Sequence, residues 1–353
     1  MNQSTHQHIK QLIADSGLLH FVKKSRVKNR RFHFKNETIL ITGAAGSIGS
    51  ELARQLLNSQ FSKLILIDIA ESPLYNLMKA FEHENIPNIE FLLLNITDKA
   101  SVEHLFETYK PTIVLHAAAY KHVPLMEAHP YEAVKTNIMA TTFLADCAIK
   151  HGVKKFIFIS TDKAVDPISV MGCSKRIAEN YLLSLSKETS TKFLIARFGN
   201  IMGSNGSVLP LFIKQIESGL PLTLTDNTTS RYFISKTKAC HLILELSRFE
   251  TLAPAIFTFD MGNPITIKEV ADCLLSFYPE RQIPVIQVGM RPGEKLHEAL
   301  VSINEELVPT QNDSILLVKQ RNNTIKMADF NQLKAITPFV DPEKIKEIFK
   351  QNC

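Results

Sequence analysis

One short stretch of the chain sets an acid beside an amine. Thr161, Asp162 and Lys163 fall in the run ISTDKAVDP, and Met171 and Lys175 follow in MGCSK. Adjacent carboxyl and amino groups supply a general acid and a general base, which suits a reaction that moves two protons. Met171 has no exchangeable proton, so that work falls on Asp162 and Lys163, with Thr161 able to hydrogen-bond beside them. To act as a base an amine must be neutral, and bringing it from about 10.4 toward 7 disfavours its charge by roughly 4 to 5 kcal/mol, which a closed pocket can supply. The plainer alternative is a strand-end salt bridge. Cys173 lies nearby without an evident partner base and reads as a packing thiol.

These residues need a frame that carries a strand end to a helix. From residue 37 onward, short apolar runs alternate with helical stretches: TILIT, then 50–57; KLILID, then 74–81; IEFLLLN, then 102–109; TIVLHAA, then 131–149; KFIFIS, then 171–186; and FLIARF. Such alternation predicts an α/β protein, a Rossmann-type doubly wound parallel sheet with helices on both faces. After Asn200 the pattern loosens and Pro and Gly become frequent, as in GSNGSVLPLF, SGLPLTL, GNPITI and MRPGEK, which predicts a smaller substrate lobe. Residues 238–246 and the run IFTFDMG read as a return to the main sheet, so the two are interleaved. The expected division is an N-terminal arm over 1–36, a nucleotide-binding domain over 37–199 that also takes 233–261, and a lobe of 200–232 and 262–353 ending in a helix.

GAAGSIG places Gly43, Gly46 and Gly49 between the first strand and its helix, where bare backbone can approach a pyrophosphate and the helix N-terminus stabilises its charge. Asp68 ends the second strand, 19 residues after Gly49. A carboxylate there accepts hydrogen bonds from ribose hydroxyls and repels a 2′-phosphate, so NAD is the expected cofactor and NADP the less favoured one. Asn95 and Ile96 would lie by the adenine, and Ala117, Ala118 and Ala119 form a small-residue floor after the fourth strand.

With 353 residues, 45% of them apolar, the chain can bury one large core or two lobes sharing an interface. No apolar run reaches the roughly 18 residues of a membrane span, and MNQSTHQHIK lacks a signal peptide's plan, so a cytoplasmic protein is expected. Five scattered cysteines without a CxxC pair argue against a disulfide framework and against a metal site. The net charge of +5 is concentrated early, with eight cations against one acid, Asp15, before residue 37. A cluster such as KKSRVKNRR can touch nucleic acid or anionic lipid. The favoured reading is a solvated arm or an oligomer contact, dispensable for chemistry. Peripheral membrane contact stays open, no nucleic-acid partner is expected, and a homo-oligomer is.

Together GAAGSIG, HAAAYKHVPLME, ISTDKAVDP, MGCSKRIAE, RFGN, GSVLPLF, SRYF and MRPGEK resemble the nucleotide-sugar 4,6-dehydratases, extended short-chain dehydrogenases, and among them the CapD-like polysaccharide-biosynthesis group. The resemblance runs from about residue 37 to about residue 300. Many relatives carry membrane spans and a further domain ahead of this region, so the chain resembles the soluble form. The resemblance implies UDP-N-acetylglucosamine as substrate and a nicotinamide regenerated in each turnover. Its implied cofactor contacts add Thr42, Ala44, Ser47, Ile48, Lys121, Asn137, Ser160 and Lys175, the last on the nicotinamide ribose. Asn200, Ser207, Val208, Leu209, Arg231, Arg291 and Glu294 would line the uridine and diphosphate, where paired arginines suit phosphate oxygens and a carboxylate suits a ribose diol. His122 and Glu127 would contact either the sugar or a neighbouring subunit. Met171 stands where short-chain dehydrogenases usually have the tyrosine that takes the substrate proton. Some inverting relatives keep that tyrosine, and retaining relatives have methionine. The wording AAAYKHVPLMEAHP resembles the retaining branch, with an inverting relative that carries methionine as the alternative.

The implied reaction removes water across C5 and C6 of a hexose. Oxidation at C4 acidifies C5, a base takes the C5 proton, an acid protonates the C6 hydroxyl, and the hydride returns at C6. Lys163 is the expected base and Asp162 the expected acid, with Thr161 near the C4 oxygen; which group takes the C4 hydroxyl proton stays open, Asp162 being one candidate. A sugar-nucleotide C4 epimerase shares such a fold but has no use for this pair. A non-catalytic nucleotide-binding protein would tolerate the missing tyrosine but has no need of Asp162, Lys163 and Lys175 together.

Overall fold

The computed structural model describes residues 3–23, 31–84, 86–185, 189–251, 253–321 and 326–353. Lys24, Arg26, Lys28 and Arg30 of the basic cluster lie outside the described residues.

Alternation along each strand decides which layer its apolar side chains enter. In β1 (His33–Thr42), Ile39 and Ile41 join one buried cluster and Leu40 the other; in β2 (Gln60–Asp68), Leu64 and Leu66 part from Ile65 and Ile67 in the same way. A strand covered on both faces must be apolar throughout, which a parallel sheet between two helical layers requires. β3 (Ile89–Leu93), β4 (Ile113–His116), β5 (Lys155–Thr161), β6 (Lys192–Phe198) and β7 (Ala255–Phe259) complete a parallel array in the order β7-β6-β5-β4-β1-β2-β3. The order reverses beside β1, and the crevice at the carboxyl ends of β1 and β4 is where a doubly wound fold binds ligands. The predicted fold class is the observed one.

The helices sort by layer. α1 (Gln3–Ser16) leads the chain, α2 (Ser47–Leu56) and α3 (Glu71–Phe81) cover one face, and α4 (Lys99–Tyr109), α5 (Thr141–Lys150) and α6 (Val170–Ser184) cover the other. α7 (Val208–Glu217) belongs to the lobe, α8 (Lys236–Leu246) returns to the first face, α9 (Ile267–Leu275) packs in the lobe, and α10 (Pro342–Asn352) closes the chain.

Three boundaries differ from the sequence reading. The described part of 1–36 is no detached arm: Ile9, Leu12, Ile13 and Leu19 pack with Phe212, Leu222 and Val270 of the lobe, and Phe32 and Phe34 enter the main core. An apolar stripe says that something covers a helix, not what does. β8 (Glu305–Pro309) and β9 (Ile315–Gln320), expected in the lobe, pair antiparallel with each other, and β9 pairs antiparallel with β7, so both extend the main sheet. A hairpin needs no crossover helix and so breaks the alternation that located the other strands. The closing helix was also expected in the lobe, yet Ile345 and Phe349 of α10 pack with Val170, Met171 and Ile177 of α6.

Candidate active site

Gly43 directly follows β1 with φ +66°, and a Cβ there would fall 2.7 Å from the Cα of Ala118. The Ala117–Ala119 floor and the glycine loop therefore meet backbone to backbone. Gly46 precedes α2 without a side-chain cap, which leaves the leading N–H groups of the helix for an anion. Asp68 accepts from Ala45 N through Oδ2 and from Ala70 N through Oδ1, both at 2.9 Å. It thus ties β2 to the glycine loop, and each oxygen keeps a lone pair for a ribose hydroxyl. This cradle, whose pitch only bare backbone allows, fits a dinucleotide.

Several expected cofactor residues also hold the frame. Thr42 is buried, shares a 2.6 Å hydrogen bond with His116 Nδ1 and accepts from Ala118 N. His116 Nε2 meets Thr141 Oγ1 at 2.8 Å, and burial, aided by Lys175, lowers the imidazole to about 3, so the ring is neutral. Ala44 and Ile96 are core residues, Ile48 packs against the first cluster, and Asn95 Oδ1 is taken by Thr97 N and Oγ1. Asn137, within a π-helical stretch Ala133–Ala140, donates to Tyr120 O and Ser174 Oγ and accepts from Tyr120 N, pinning the loop after β4 to α6. Ser47 Oγ accepts from Asn205 N, and Lys121 Nζ donates to Ser204 Oγ at 3.3 Å. Burial, aided by Lys163, lowers the Lys121 ammonium from its ordinary value. These two contacts draw the lobe's loop 203–207 onto the end of the glycine loop and the loop after β4.

The acid and the amine sit where β5 ends. Asp162–Ala164 form one 3-10 turn capped by Thr161, whose Oγ1 accepts from Lys163 N and donates to Asp162 Oδ1 at 3.0 Å. Asp162 is fully buried, and its Oδ2 has no partner among the described residues. A Cβ on Gly199 would stand 3.1 Å from that oxygen and 2.6 Å from Tyr232 O, so the glycine of RFGN keeps the space beside it. Lys163 Nζ lies 3.0 Å from Asp162 Oδ1, 3.0 Å from Asn200 Oδ1 and 3.6 Å from Glu298 Oε1. Asp162 and Asn200 accept from Lys163 Nζ and Glu298 lies at ion-pair distance, so two carboxylates face the amine. The sequence marks Glu298 only as an acid close after MRPGEK.

Behind this pair, Lys175 is buried with Nζ 3.9 Å from the centroid of the Phe158 ring. Burial, opposed by Glu179, brings it down to about 7. Met171 is buried with Val134, Ile138 and Cys173, so it forms hydrophobic wall. Ser160 Oγ donates to Glu179 Oε1 at 2.5 Å. Glu179 also holds Arg197 Nη2 at 2.6 Å, and Arg197 Nη1 reaches Glu305 at 2.8 Å, a fully buried ionic cluster across β6, α6 and β8. Burial works against the Arg197 charge, and the two carboxylates outweigh it, raising its pKa.

On the lobe side, Arg231 is not a free phosphate clamp. Its Nη1 donates to Ser230 O and Leu296 O and its Nη2 to Lys295 O, so most of its fork anchors the MRPGEK segment. Arg291 is exposed at a turn closed by Glu294 N, Glu294 is half-buried, and Lys295 Nζ donates to Val165 O beside the Asp162–Ala164 turn. Leu209 lies in the lobe core, Val208 is packed against it, and Ser207 Oγ has no partner among the described residues. The His122 ring stands 2.4 Å from where a Cβ on Gly206 would be, against the same loop. Glu127 accepts from Val170 N at the start of α6 and lies 3.7 Å from Lys346, which spends it on bracing that helix.

Residues 39–320 match a family described as polysaccharide biosynthesis protein, a match that spans most of the chain. The chain belongs to that family. The capsular polysaccharide biosynthesis protein CapD of Staphylococcus aureus is 43% identical over 76% of this polysaccharide biosynthesis family member and 46% of its own length. The chain thus spans about half the length of the first curated relatives it matches. A Campylobacter jejuni protein named UDP-N-acetylglucosamine 4,6-dehydratase (inverting) is 31% identical over 77% of this chain and 79% of its own, and names at that level also include UDP-glucose 4-epimerase. The structure of the Bordetella bronchiseptica enzyme WbmG, in complex with NAD and UDP, matches with a TM-score of 0.62 at 25% identity, over 75% of this family member and 85% of that chain. Among the described residues no helix is long and apolar enough to cross a membrane.

Proposed function

We propose that this chain catalyses an NAD-dependent 4,6-dehydration of UDP-N-acetylglucosamine with retention at C5. One observation carries the reading: a fully buried carboxylate with an unpartnered oxygen, Asp162, stands 3.0 Å from the amine of Lys163 at the carboxyl edge of the sheet. An epimerase at C4 needs no acid and base for C5 and C6. The name of the Campylobacter relative supports the substrate, and the ligands of WbmG support the cofactor and the nucleotide.

A bound nicotinamide supplies the hydride acceptor at C4 and the donor at C6. The glycine loop and the start of α2 would hold its pyrophosphate, Asp68 its adenosine ribose and Lys175 its nicotinamide ribose. Asp162 Oδ2 takes the C4 hydroxyl proton and later delivers it to the C6 oxygen as water leaves. Thr161 holds Asp162 Oδ1 and so aims Oδ2. Lys163 removes the C5 proton and returns it. One amine working on one face retains configuration, whereas inversion needs a second donor on the opposite face.

Incubation with UDP-N-acetylglucosamine is expected to give a 4-keto product lighter by one water in mass spectrometry, with C5 unchanged in NMR. An isomer of unchanged mass, epimeric at C4, would overturn the dehydratase reading. A dehydrated product inverted at C5 would overturn retention alone.

A further inference from the structure

Glu298 has no part in the scheme above, yet it is the second carboxylate paired with Lys163. Its side chain is 3% exposed, with Oε1 3.6 Å from Lys163 Nζ. The other oxygen, Oε2, is buried without a hydrogen-bond partner among the described residues, 3.8 Å from Lys295 Nζ. Lys295 pairs with this oxygen only at 3.8 Å while it donates to Val165 O, and Arg231 donates to backbone carbonyls. The charged groups that face Glu298 are Lys163, Asp162, Arg231 and Lys295. Burial, opposed by Lys163 and reinforced by Asp162, raises its pKa above the ordinary carboxylate value. Two carboxylates, Asp162 and Glu298, therefore share one amine that the proposed reaction requires to be neutral.

Resting on the base role proposed for Lys163, we infer that Glu298 is the proton acceptor that neutralises Lys163, a positioning residue that acts through it. An N–H bond of the ammonium breaks, an O–H bond forms at Glu298 Oε1, and the lone pair stays on Nζ. The pair is neutral in sum before and after, so a buried site changes no net charge. Losing that proton to solvent would instead leave Glu298 a buried anion without its cation, which is costly. Lys163 can then take the C5 proton and give it back, while Glu298 keeps its own proton until product departs. No outside oxidant, reductant or co-reactant is needed.

The test follows dehydration, and deuterium entry at C5 in heavy water, across pH for the full chain with UDP-N-acetylglucosamine. Glu298→Gln keeps the shape but cannot take the proton. Its elimination rate is expected to fall about 100-fold at neutral pH, within the usual range for a lost proton-transfer group, and to recover about tenfold per pH unit on the alkaline side as hydroxide takes over. Glu298→Asp keeps a carboxylate and is expected to keep the wild-type profile shape at a lower rate. A wild-type profile in Glu298→Gln overturns the inference. Should that variant fail to fold, an alkaline-only profile in Glu298→Asp overturns it and a wild-type shape supports it. Lys163→Met separates the two levels. Normal dehydration in that variant removes the base role itself, whereas an inactive Lys163→Met beside an unaffected Glu298→Gln removes only the part given to Glu298.

Discussion

Lys175 shows how a single buried cation can weaken the fold that it serves. Burial brings it to about 7, while an unfolded lysine titrates near 10.4. Between those values the unfolded chain binds more protons than the folded one, so stability rises with pH across the window. The penalty is full below about 7, gone above about 10.4, and worth about 4 to 5 kcal/mol in order of magnitude. Lys175→Met is accordingly expected to stabilise cofactor-free protein at pH 7 but hardly at pH 10, while losing turnover. Denaturant unfolding at both pH values checks this, and equal gains at both would refute it. Met171 and Asp162 give the opposite contrast. Met171 is wall, so Met171→Leu, a volume-conserving swap costing under about 1.5 kcal/mol, should keep most turnover. Asp162→Asn removes the proton carrier and should lower turnover by roughly 100-fold or more at unchanged cofactor content.

The N-terminal helix changes meaning once its seat is known. Expected to be dispensable, α1 instead places Ile9, Leu12 and Ile13 in the lobe core, and its last residue, Ser16, backs Gly203, where a Cβ would come within 2.7 Å of the Ser16 Cβ. Gly203 leads into the loop that reaches Lys121 and Ser47, so the helix props a segment lying over the glycine loop. Ile13→Ala should cost about 2 to 5 kcal/mol by leaving a cavity in that core. Removing residues 1–19 should lower the unfolding midpoint further and raise the KM for the nucleotide sugar. Unchanged values for the truncated chain would return α1 to the status of an appendage.

Across the whole molecule, the Arg197 cluster joins the sheet centre to the added hairpin. Arg197 links Glu179 on α6 to Glu305 on β8, and Glu179 also receives Ser160 from β5, one helical turn from Lys175. Removing the arginine leaves two buried carboxylates with only the partly exposed Arg176 as cation, and losing a buried partner typically costs about 3 to 5 kcal/mol. Arg197→Met should therefore unfold at much lower denaturant than Arg176→Ala, whose arginine is partly exposed. The deficit should shrink toward acid pH, since, against burial, Arg197 holds the Glu305 carboxyl below its ordinary value, and protonation of that carboxyl removes the repulsion that the variant creates. A deficit that stays constant with pH would mean that packing, not charge, holds the cluster together.

The sequence alone determined the parallel sheet, the Gly43 loop, the Asp68 strand end and the Asp162–Lys163 turn, because each rests on local spacing. Short continuous apolar runs mark strands, bare backbone marks the close approach to Ala118, and an acid next to an amine is adjacent in any fold. Only the tertiary structure set Glu298 on Lys163, spent Arg231 on the MRPGEK backbone, hid Thr42 behind His116, and turned residues 305–320 into sheet. Those partners come from distant parts of the chain, and their meeting depends on strand order and on which layer each helix joins. Spacing along a chain carries no record of that order, so a carboxylate that the sequence marks only as an acid after MRPGEK lies, in the fold, 3.6 Å from the amine of Lys163.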